Sequence, residues 1–596
     1  MSNDFRTFLV KRNNLPHSSM SNSRLYFLHA LCHALIKVIH GENTWRETKV
    51  VFLPKPGKDS YQKPNSWRPI SLTSFLLKTM ERLVDWNLRT EELVNKMVNS
   101  GQYAYLKGIG TDAALHQLIT RIEYAIKSKQ MALGVFLDIE GAFSHATFKS
   151  IVTALEREGV SAGIIRWIYH MLSDRVVSAS SGSTTERRVV ERGCPQGGVL
   201  SPLLWNLVIM ELQLELKNLS ALYNQAYADD VALLNVGIDF GTVKDLSQRA
   251  IDTVDTWCKK RDLSIHPDKI EVVLFKARQK SVTTKPLKLH GKEISYKKSV
   301  RFLGVILDEE LNWAEHCSVK AKRATASLMQ VRGAVGKLWG LSPKVTHWVY
   351  TAVIRPVVSY ASVAWLTATA TDARLVPFRK LQRLACLMIT GAIRSTPTAA
   401  MECMLDIEPI DVFLMRQAIG SSFRLRESGK WLSWKGRGST KRITHVELVS
   451  YEYEKIADTE DIKSAGSDWS LTERRRRWTE STDCQQTKLF LLAPDAKASK
   501  YIIRLSRESI RILTQAVTGH SFLAKHQFVM FGKGSPLCPL CGQVDETSAH
   551  HIAECPSLVL QRCIYLGKCM FLVSELHDLP LSDVLSFCSS VGRIKG

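Results

Sequence analysis

The sequence of 596 residues lacks any apolar run of the roughly 18 residues that a membrane-spanning helix needs. Its longest apolar stretch, Val199–Met210, is interrupted by a serine, a proline and an asparagine. The amino-terminal residues contain no apolar stretch long enough for a secretory signal, and the chain has no internal repeat. We therefore expect neither a membrane partner nor secretion.

Acidic residues are few relative to basic ones, since 57 Asp and Glu stand against 80 Lys and Arg, a net charge of +23. Charged residues make up 23% and hydrophobic residues 45% of the chain, which excludes a disordered polycation. At about 150 residues a domain, the length allows about four domains. A folded chain with this surplus of positive charge suits a polyanionic partner, nucleic acid before membrane.

The thirteen cysteines are an odd number, and most are isolated along the chain. This usage predicts buried thiols in a reducing compartment. Near the carboxyl terminus, Cys563, Cys569 and Cys588 are expected to be packed thiols of this kind.

Four other residues have the spacing of a metal site, C-x2-C-x8-H-x4-C: Cys538, Cys541, His550 and Cys555. Three thiolates and one imidazole are enough for a closed, structural Zn²⁺ site. His551 is an alternative to His550 as the ligand, and chance spacing among thirteen cysteines is the alternative to a metal. Three nearby residues suit a surface that faces phosphates: His520, Lys525 and His526.

Two adjacent acids, Asp229 and Asp230, lie between apolar flanks in a pattern that predicts a hairpin with the acids at its tip. Such a pair alone is typical of a solvated turn. Asp138 ends the separate apolar run Val135–Leu137, however, and carboxylates from two strands can bridge two Mg²⁺ ions for displacement at phosphorus. We therefore predict Asp138 and Asp229 as the principal Mg²⁺ ligands, with Asp230 in support and Mn²⁺ as an alternative ion.

Three motifs, FLDIEGAF (136–143), GCPQGGVLSPLLWN (193–206) and AYADD (226–230), resemble successive motifs of the reverse transcriptases of non-LTR retrotransposons of the Jockey and I kind. Further segments resemble other parts of these enzymes in the same order: Val50–Asp59, Tyr61–Leu72, Leu263–Lys269, Val300–Val305 and Trp339–Val412. The sequence departs from the family at Tyr105–Leu106, where a Phe-Arg pair is more usual, and at Ile265–His266.

The resemblance implies an α+β chain with a right-hand polymerase fold and a small helical carboxyl-terminal segment that carries the zinc knuckle. The implied divisions are a disordered lead-in (1–22), fingers (23–130), palm (131–310), helical thumb or connection (311–428), linker (429–485) and knuckle segment (486–596). No endonuclease or RNase H domain is expected within the chain, which suggests a deleted copy or partial gene model of a longer polyprotein.

The resemblance also assigns roles around the predicted metal site. Lys55 and Arg68 would contact the phosphates of the incoming nucleotide, and Lys269 would protonate pyrophosphate. Phe143 would be a steric gate that collides with a ribose 2′-hydroxyl. Three residues would adjoin the nucleotide or template: Gln196, Gly197 and Tyr227. For each residue a structural role, as a solvated cation, a core ring or a turn residue, is the alternative.

The function implied is RNA-directed DNA polymerisation with dNTPs on an RNA template and a DNA primer. The alternative is a truncated, catalytically dead remnant that still binds nucleic acid. An RNA-dependent RNA polymerase is a weaker third hypothesis, because Phe143 argues against use of rNTPs. The element type implies access to nucleus and cytoplasm, and Arg474–Arg477 is a weak candidate for an import signal.

Overall fold

A computed structural model describes residues 47–57, 60–173, 175–277, 285–336, 339–433, 442–456, 462–532 and 534–594. The predicted lead-in at 1–22 lies outside the described residues. The chain divides into two compact units. Unit 1 contains the described residues up to Gly304 together with Asp308–Leu311, and unit 2 contains Val305–Leu307 and the described residues from Asn312 onward.

Unit 1 mixes strands and helices. Its strands are β1 (Glu47–Pro54), β2 (Trp67–Leu72), β3 (Met131–Glu140), β4 (Val176–Ser181), β5 (Thr184–Val189), β6 (Leu222–Tyr227), β7 (Asp230–Gly237), β8 (Ser264–Ile265), β9 (Glu271–Phe275), β10 (Leu287–Leu289), β11 (Lys292–Ile294) and β12 (Ser299–Phe302), with β13 (Val305–Asp308) following. Its helices are α1 (Phe75–Leu88), α2 (Glu91–Ser100), α3 (Thr111–Lys127), α4 (Ala142–His145), α5 (Phe148–Arg157), α6 (Ala162–Ser173), α7 (Ser201–Lys217) and α8 (Phe240–Lys260).

The strand β3 lies at the centre of an antiparallel sheet, where it pairs with β7, β8 and β9, and β6 pairs with β7. Its run MALGVFL is buried throughout, as expected of a strand covered on both faces. Helix α7 is apolar on most of its circumference and is largely buried in the same core. The predicted hairpin with two acids at its tip is confirmed.

A second sheet in unit 1 has the order β2-β1-β4-β5, in which β1 and β4 are parallel and the other pairs antiparallel. Strands β4 and β5 form an antiparallel hairpin at one edge of this sheet. Helix α1 follows β2 and begins at Ser74, whose side chain accepts a 3.1 Å hydrogen bond from the N–H of Leu77. This cap satisfies one of the free N–H groups at the start of α1.

Unit 2 is helical. Its helices are α9 (Ala314–Arg332), α10 (Pro343–Val349), α11 (Arg355–Ser359), α12 (Ser362–Trp365), α13 (Asp372–Thr390), α14 (Thr398–Leu405), α15 (Ile410–Glu427), α16 (His445–Glu454), α17 (Ile462–Glu480), α18 (Gln485–Lys488), α19 (Ala496–Ile502), α20 (Arg507–Thr518), α21 (Ala524–Phe531), α22 (Val559–Tyr565) and α23 (Leu581–Val591). Among the described residues no single helix has the length and apolarity to cross a membrane, although 343–359 and 362–370, bent by 53°, pass that test together.

Two features of unit 2 add to the sequence interpretation. The segment predicted as a linker contains α16 and α17. Helix α17 forms two ion pairs: Arg474 with Asp406, which follows α14, at 2.6 Å, and Arg477 with Asp411 on α15 at 2.7 Å. The expectation of two packed thiols at Cys563 and Cys569 is wrong, because these residues form a disulfide. Their Cα atoms lie 4.6 Å apart across a short turn, which brings the sulfur atoms within bonding reach.

Candidate active site

The three predicted carboxylates meet at one end of the β3–β7 pair. Asp138 on β3 is the register partner of Asp230, the first residue of β7. Asp229 lies in the preceding turn, and its carbonyl oxygen accepts a 3.3 Å hydrogen bond from the N–H of Ile139. The strand pairing therefore brings together side chains that are far apart in the sequence.

The turn that carries Asp229 is held from two sides. Ala228 has a φ of +59°, a conformation that a residue with a Cβ rarely adopts. The indole N–H of Trp205 donates a 2.9 Å hydrogen bond to the carbonyl oxygen of Ala228. Gln102 Oε1 accepts a 3.3 Å hydrogen bond from the N–H of Ala228. It also accepts hydrogen bonds from the N–H groups of Tyr103 and Ala104, at 3.0 and 2.9 Å. Sequence reasoning missed both Gln102 and Trp205.

The electrostatics of the trio favour a bound cation. Desolvation, then the charges of Asp229 and Asp138, raise the pKa of Asp230 to about 6, although the residue keeps solvent exposure. Desolvation and the charge of Asp229 raise the pKa of Asp138, and desolvation likewise raises that of Asp229. Carboxylates that repel one another in this way fit a divalent metal, because the ion offsets both the repulsion and the lost hydration.

Lys269 lies beside the trio. Its Nζ is 2.5 Å from Glu140 Oε1 and 3.7 Å from Asp138 Oδ2. Burial alone would lower the pKa of Lys269, but the hydrogen bond and charge of Glu140 and the charge of Asp138 outweigh it and raise that pKa. The same hydrogen bond lowers the pKa of Glu140. The structure thus places the predicted lysine in the site and adds Glu140, which sequence reasoning missed.

The predicted phosphate contacts lie on β2 and at the end of β1. Leu53 is the register partner of Arg68, and the N–H of Lys55 donates a 2.8 Å hydrogen bond to Ser66, so the two cations occupy adjacent chain segments. The charge of Arg68 partly offsets the raised pKa of Asp229, which places the guanidinium within electrostatic reach of the carboxylates.

The glycine-rich loop before α7 packs closely on β2. The N–H of Ser71 donates a 2.7 Å hydrogen bond to the carbonyl oxygen of Gln196. Gly197 has a φ of +108°, and a Cβ there would lie 2.8 Å from the carbonyl oxygen of Ser71. This close approach explains why the position is occupied by glycine. The side-chain oxygen of Gln196 is buried without a hydrogen-bond partner in the described part of the chain.

Two buried charged residues hold the ends of this loop. Glu81 on α1 accepts a 3.1 Å hydrogen bond from the N–H of Val199, and Arg175 donates a 3.0 Å hydrogen bond to the carbonyl oxygen of Gly193. Burial raises the pKa of Glu81 and lowers that of Arg175, while the charge of each partly offsets the shift of the other. Neither residue was singled out by the sequence, although Glu81 interrupts the apolar face of an amphipathic helix.

Phe143 lies on α4, half-buried between two aromatic rings. The ring centroid of Tyr105 is 6.3 Å away in an edge-to-face arrangement, and that of Trp205 is also 6.3 Å away. Tyr227 is the last residue of β6 and pairs with Asp230 across the hairpin. The predicted nucleotide residue Tyr227 thus adjoins the carboxylates, and the predicted gate Phe143 packs against Trp205, the residue that holds their turn.

The predicted zinc ligands come together in unit 2. One ligand atom from each of Cys538, Cys541, His550 and Cys555 lies within 4.8 Å of every other, with Sγ of Cys538 3.9 Å from Sγ of Cys555 and Sγ of Cys541 3.4 Å from Nε2 of His550. These separations and this donor set fit a tetrahedral Zn²⁺ ion.

The structure distinguishes between the two adjacent histidines. Nε2 of His551 lies 3.5 Å from Glu546, which is fully buried and also accepts hydrogen bonds from Arg593. His550 is therefore the histidine beside the cysteines, and His551 is paired with the buried Glu546. The three residues expected to face phosphates have partners within the chain: His520 and His526 each lie 3.2 Å from Ser395 Oγ, and Lys525 lies 3.0 Å from Asp545.

Comparisons with known proteins agree with the geometry in unit 1. Residues 53–307 match the family described as reverse transcriptase (RNA-dependent DNA polymerase). The chain is 24% identical over 524 residues to a Pol polyprotein from the type-1 retrotransposable element R1 of Bradysia coprophila, covering 86% of this chain and 48% of that protein. It is 24% identical to a probable RNA-directed DNA polymerase from transposon BS of Drosophila melanogaster, covering 67% of this chain and 44% of that protein.

The chain spans about half the length, or less, of these curated relatives. A solved structure of telomerase from Candida tropicalis, in complex with a fragment of telomeric RNA, aligns with this chain at 11% identity and a TM-score of 0.33. The alignment covers 72% of this chain and 68% of the telomerase chain. Residues 53–307 of this chain therefore match a reverse transcriptase domain, and the chain is similar to proteins named as RNA-directed DNA polymerases and Pol polyproteins of retrotransposable elements.

Proposed function

We propose that this chain extends a primer 3′-hydroxyl with dNTPs on an RNA template. The observation that carries the proposal is the meeting of Asp138, Asp229 and Asp230 at one end of the β3–β7 pair. Asp138 and Asp229 would hold two Mg²⁺ ions, with Asp230 in support. When bound, such ions activate the attacking hydroxyl and stabilise the leaving pyrophosphate.

The neighbouring side chains suit the other requirements of the reaction. Lys269 holds a proton beside Asp138 and would deliver it to pyrophosphate, while Glu140 keeps the lysine charged. Arg68 and Lys55 would bind the triphosphate through charge-assisted contacts. Three further residues would border the sugar and the nascent base pair: Gln196, Gly197 and Tyr227. Phe143 would exclude a ribose 2′-hydroxyl.

We infer that residues 23–130, 131–310 and 311–428 serve as fingers, palm and thumb of a right-hand polymerase. The net charge of +23 supports binding of an RNA template and a DNA primer. The Cys/His cluster in 486–596 would hold a structural Zn²⁺ ion, and a DNA-copying role would require access to the nucleus.

A primer-extension assay tests the proposed function. Purified chain should extend oligo(dT) on poly(rA) with dTTP and Mg²⁺, and Asp229→Asn should abolish extension while leaving RNA affinity intact. Asp245→Asn is a suitable control, because Asp245 is an exposed carboxylate on α8 that forms an ion pair with its neighbour Lys244. RNA binding without extension in either Mg²⁺ or Mn²⁺ would instead identify a nucleic-acid-binding remnant.

A further inference from the structure

Tyr105 has an unusual backbone for a bulky residue. Its φ is +60°, in the left-handed region that side chains with a Cβ rarely occupy. Arg89 donates a 3.0 Å hydrogen bond to its carbonyl oxygen, and Asp85 holds Arg89 through a 2.9 Å ion pair. Side chains of α1 and its end therefore stabilise a conformation that fixes where the Tyr105 ring points.

The ring points at Phe143. The two centroids are 6.3 Å apart with an interplanar angle of 85°, the edge-to-face geometry that aromatic pairs prefer. Trp205, which is 1% exposed, contacts Phe143 from the interior, whereas Tyr105 is 45% exposed and contacts it from the solvent side. Phe143 is thus held between a core ring and a surface ring.

The phenol of Tyr105 also lies within electrostatic reach of Asp229. Burial raises its pKa, and the charges of Asp229 and Tyr227 add to that shift. The Tyr105 side chain therefore contacts the proposed gate and lies within electrostatic reach of Asp229, a proposed metal ligand.

We propose that Tyr105 is a positioning residue that determines sugar specificity by preventing the Phe143 ring from turning away from the 2′ position of the nucleotide. This inference rests on the proposed function. A ring excludes a hydroxyl only if it cannot move aside, so discrimination between dNTPs and rNTPs depends on both rings. The Tyr105 hydroxyl is not needed for this role.

The experiment measures kcat/KM for dTTP and for UTP on poly(rA) with a DNA primer. Phe143→Ala tests the gate itself, Tyr105→Ala removes its outer neighbour while keeping the Cβ, and Tyr105→Phe keeps the ring. Tyr169→Ala is a matched control, because Tyr169 is 44% exposed and contacts Phe148 edge-to-face at 6.4 Å and 81°. If Tyr105→Ala does not fold, Tyr105→Leu takes its place, because leucine also removes the aromatic ring.

Phe143→Ala should lower the preference for dTTP over UTP by at least about tenfold, and Tyr105→Ala should lower it by about three- to tenfold, the worth of one aromatic pair. Tyr105→Phe and Tyr169→Ala should leave the preference unchanged. If Phe143→Ala relaxes the preference and neither Tyr105→Ala nor Tyr105→Leu does, the inference is overturned and the proposed function stands. If the wild-type chain incorporates neither nucleotide, the proposed function fails and the inference fails with it.

Discussion

The indole nitrogen of Trp205 donates a 2.9 Å hydrogen bond to the carbonyl oxygen of Ala228, the residue immediately before the two adjacent acids. Trp205 lies on α7, in the core of unit 1, and Ala228 has the left-handed backbone of the hairpin turn. The core helix therefore fixes the turn from which Asp229 projects, and the position of a metal ligand depends on a residue that does not itself bind metal.

Replacing Trp205 by phenylalanine should impair polymerisation through this turn. The buried carbonyl of Ala228 would lose its donor, which costs about 1–3 kcal/mol of stability. Displacement of Asp229 should also lower kcat by about tenfold or more. Trp257→Phe is the control, because Trp257 is equally buried and donates to Glu211 instead. Thermal melts and primer extension would separate the effects, and equal losses of activity in both variants would contradict the prediction.

Substitution of Glu81 should affect the glycine-rich loop. Glu81→Ala leaves the N–H of Val199 without its acceptor, and we expect a several-fold increase in KM for dNTP because Gln196 is no longer held against the nucleotide site. Glu81→Gln keeps an acceptor oxygen and should restore most of the wild-type KM. Steady-state kinetics with both variants would check this, and a KM unaffected by the alanine substitution would be inconsistent with it.

The Cys/His cluster predicts one Zn²⁺ ion per chain. Cys541→Ser should abolish stoichiometric zinc, measured by elemental analysis, because a tetrahedral site needs all four ligands. Chelation should expose the amides of residues 534–558 to hydrogen exchange, since the ligands rather than a large core hold this segment. Cys484→Ser alters a free, half-buried cysteine outside the cluster and should retain the metal.

The raised pKa of Asp230 predicts a pH-dependent stability of the metal-free chain. Because its folded pKa, about 6, exceeds the ordinary value of 3.8, the folded state binds a proton more tightly than the unfolded state. The corresponding stability is complete below about pH 4 and is lost as the pH rises through 6. In EDTA, Asp230→Asn should therefore gain melting temperature relative to wild type between pH 4 and 7. Added Mg²⁺ should reduce that gain.

The sequence alone predicts the features of the site that depend on local pattern. Asp138 at the end of an apolar run, and the two acids between apolar flanks, identify strand ends by their immediate neighbours. Gln102 and Glu81 could not be found in this way. Their partners Ala228 and Val199 lie more than a hundred residues away, and only the folded chain brings them together. The same holds for Glu140, whose role depends on Lys269.

The pairing of Lys269 with Glu140 makes a prediction for the pH dependence of catalysis. If Lys269 donates a proton to pyrophosphate, the rate falls as the pH rises through the pKa of the lysine. Glu140→Gln removes the carboxylate that raises this pKa, so the alkaline limb of kcat should move to lower pH. Lys269→Met should lower kcat by about a hundredfold, a usual contribution of general acid catalysis.

Glu271→Gln is the control for the pH profile, because Glu271, on β9 of the same sheet, forms a comparable ion pair with Lys297. The alkaline limb of the kcat profile of Glu271→Gln should coincide with that of the wild type. A profile of Glu140→Gln that coincides with the wild-type curve would remove Lys269 from the proton transfer, and would leave it a purely electrostatic role beside Asp138. A proton-donating Lys269 and a purely electrostatic Lys269 therefore differ in one measurable quantity, the pH at which the Glu140→Gln variant loses half of its activity.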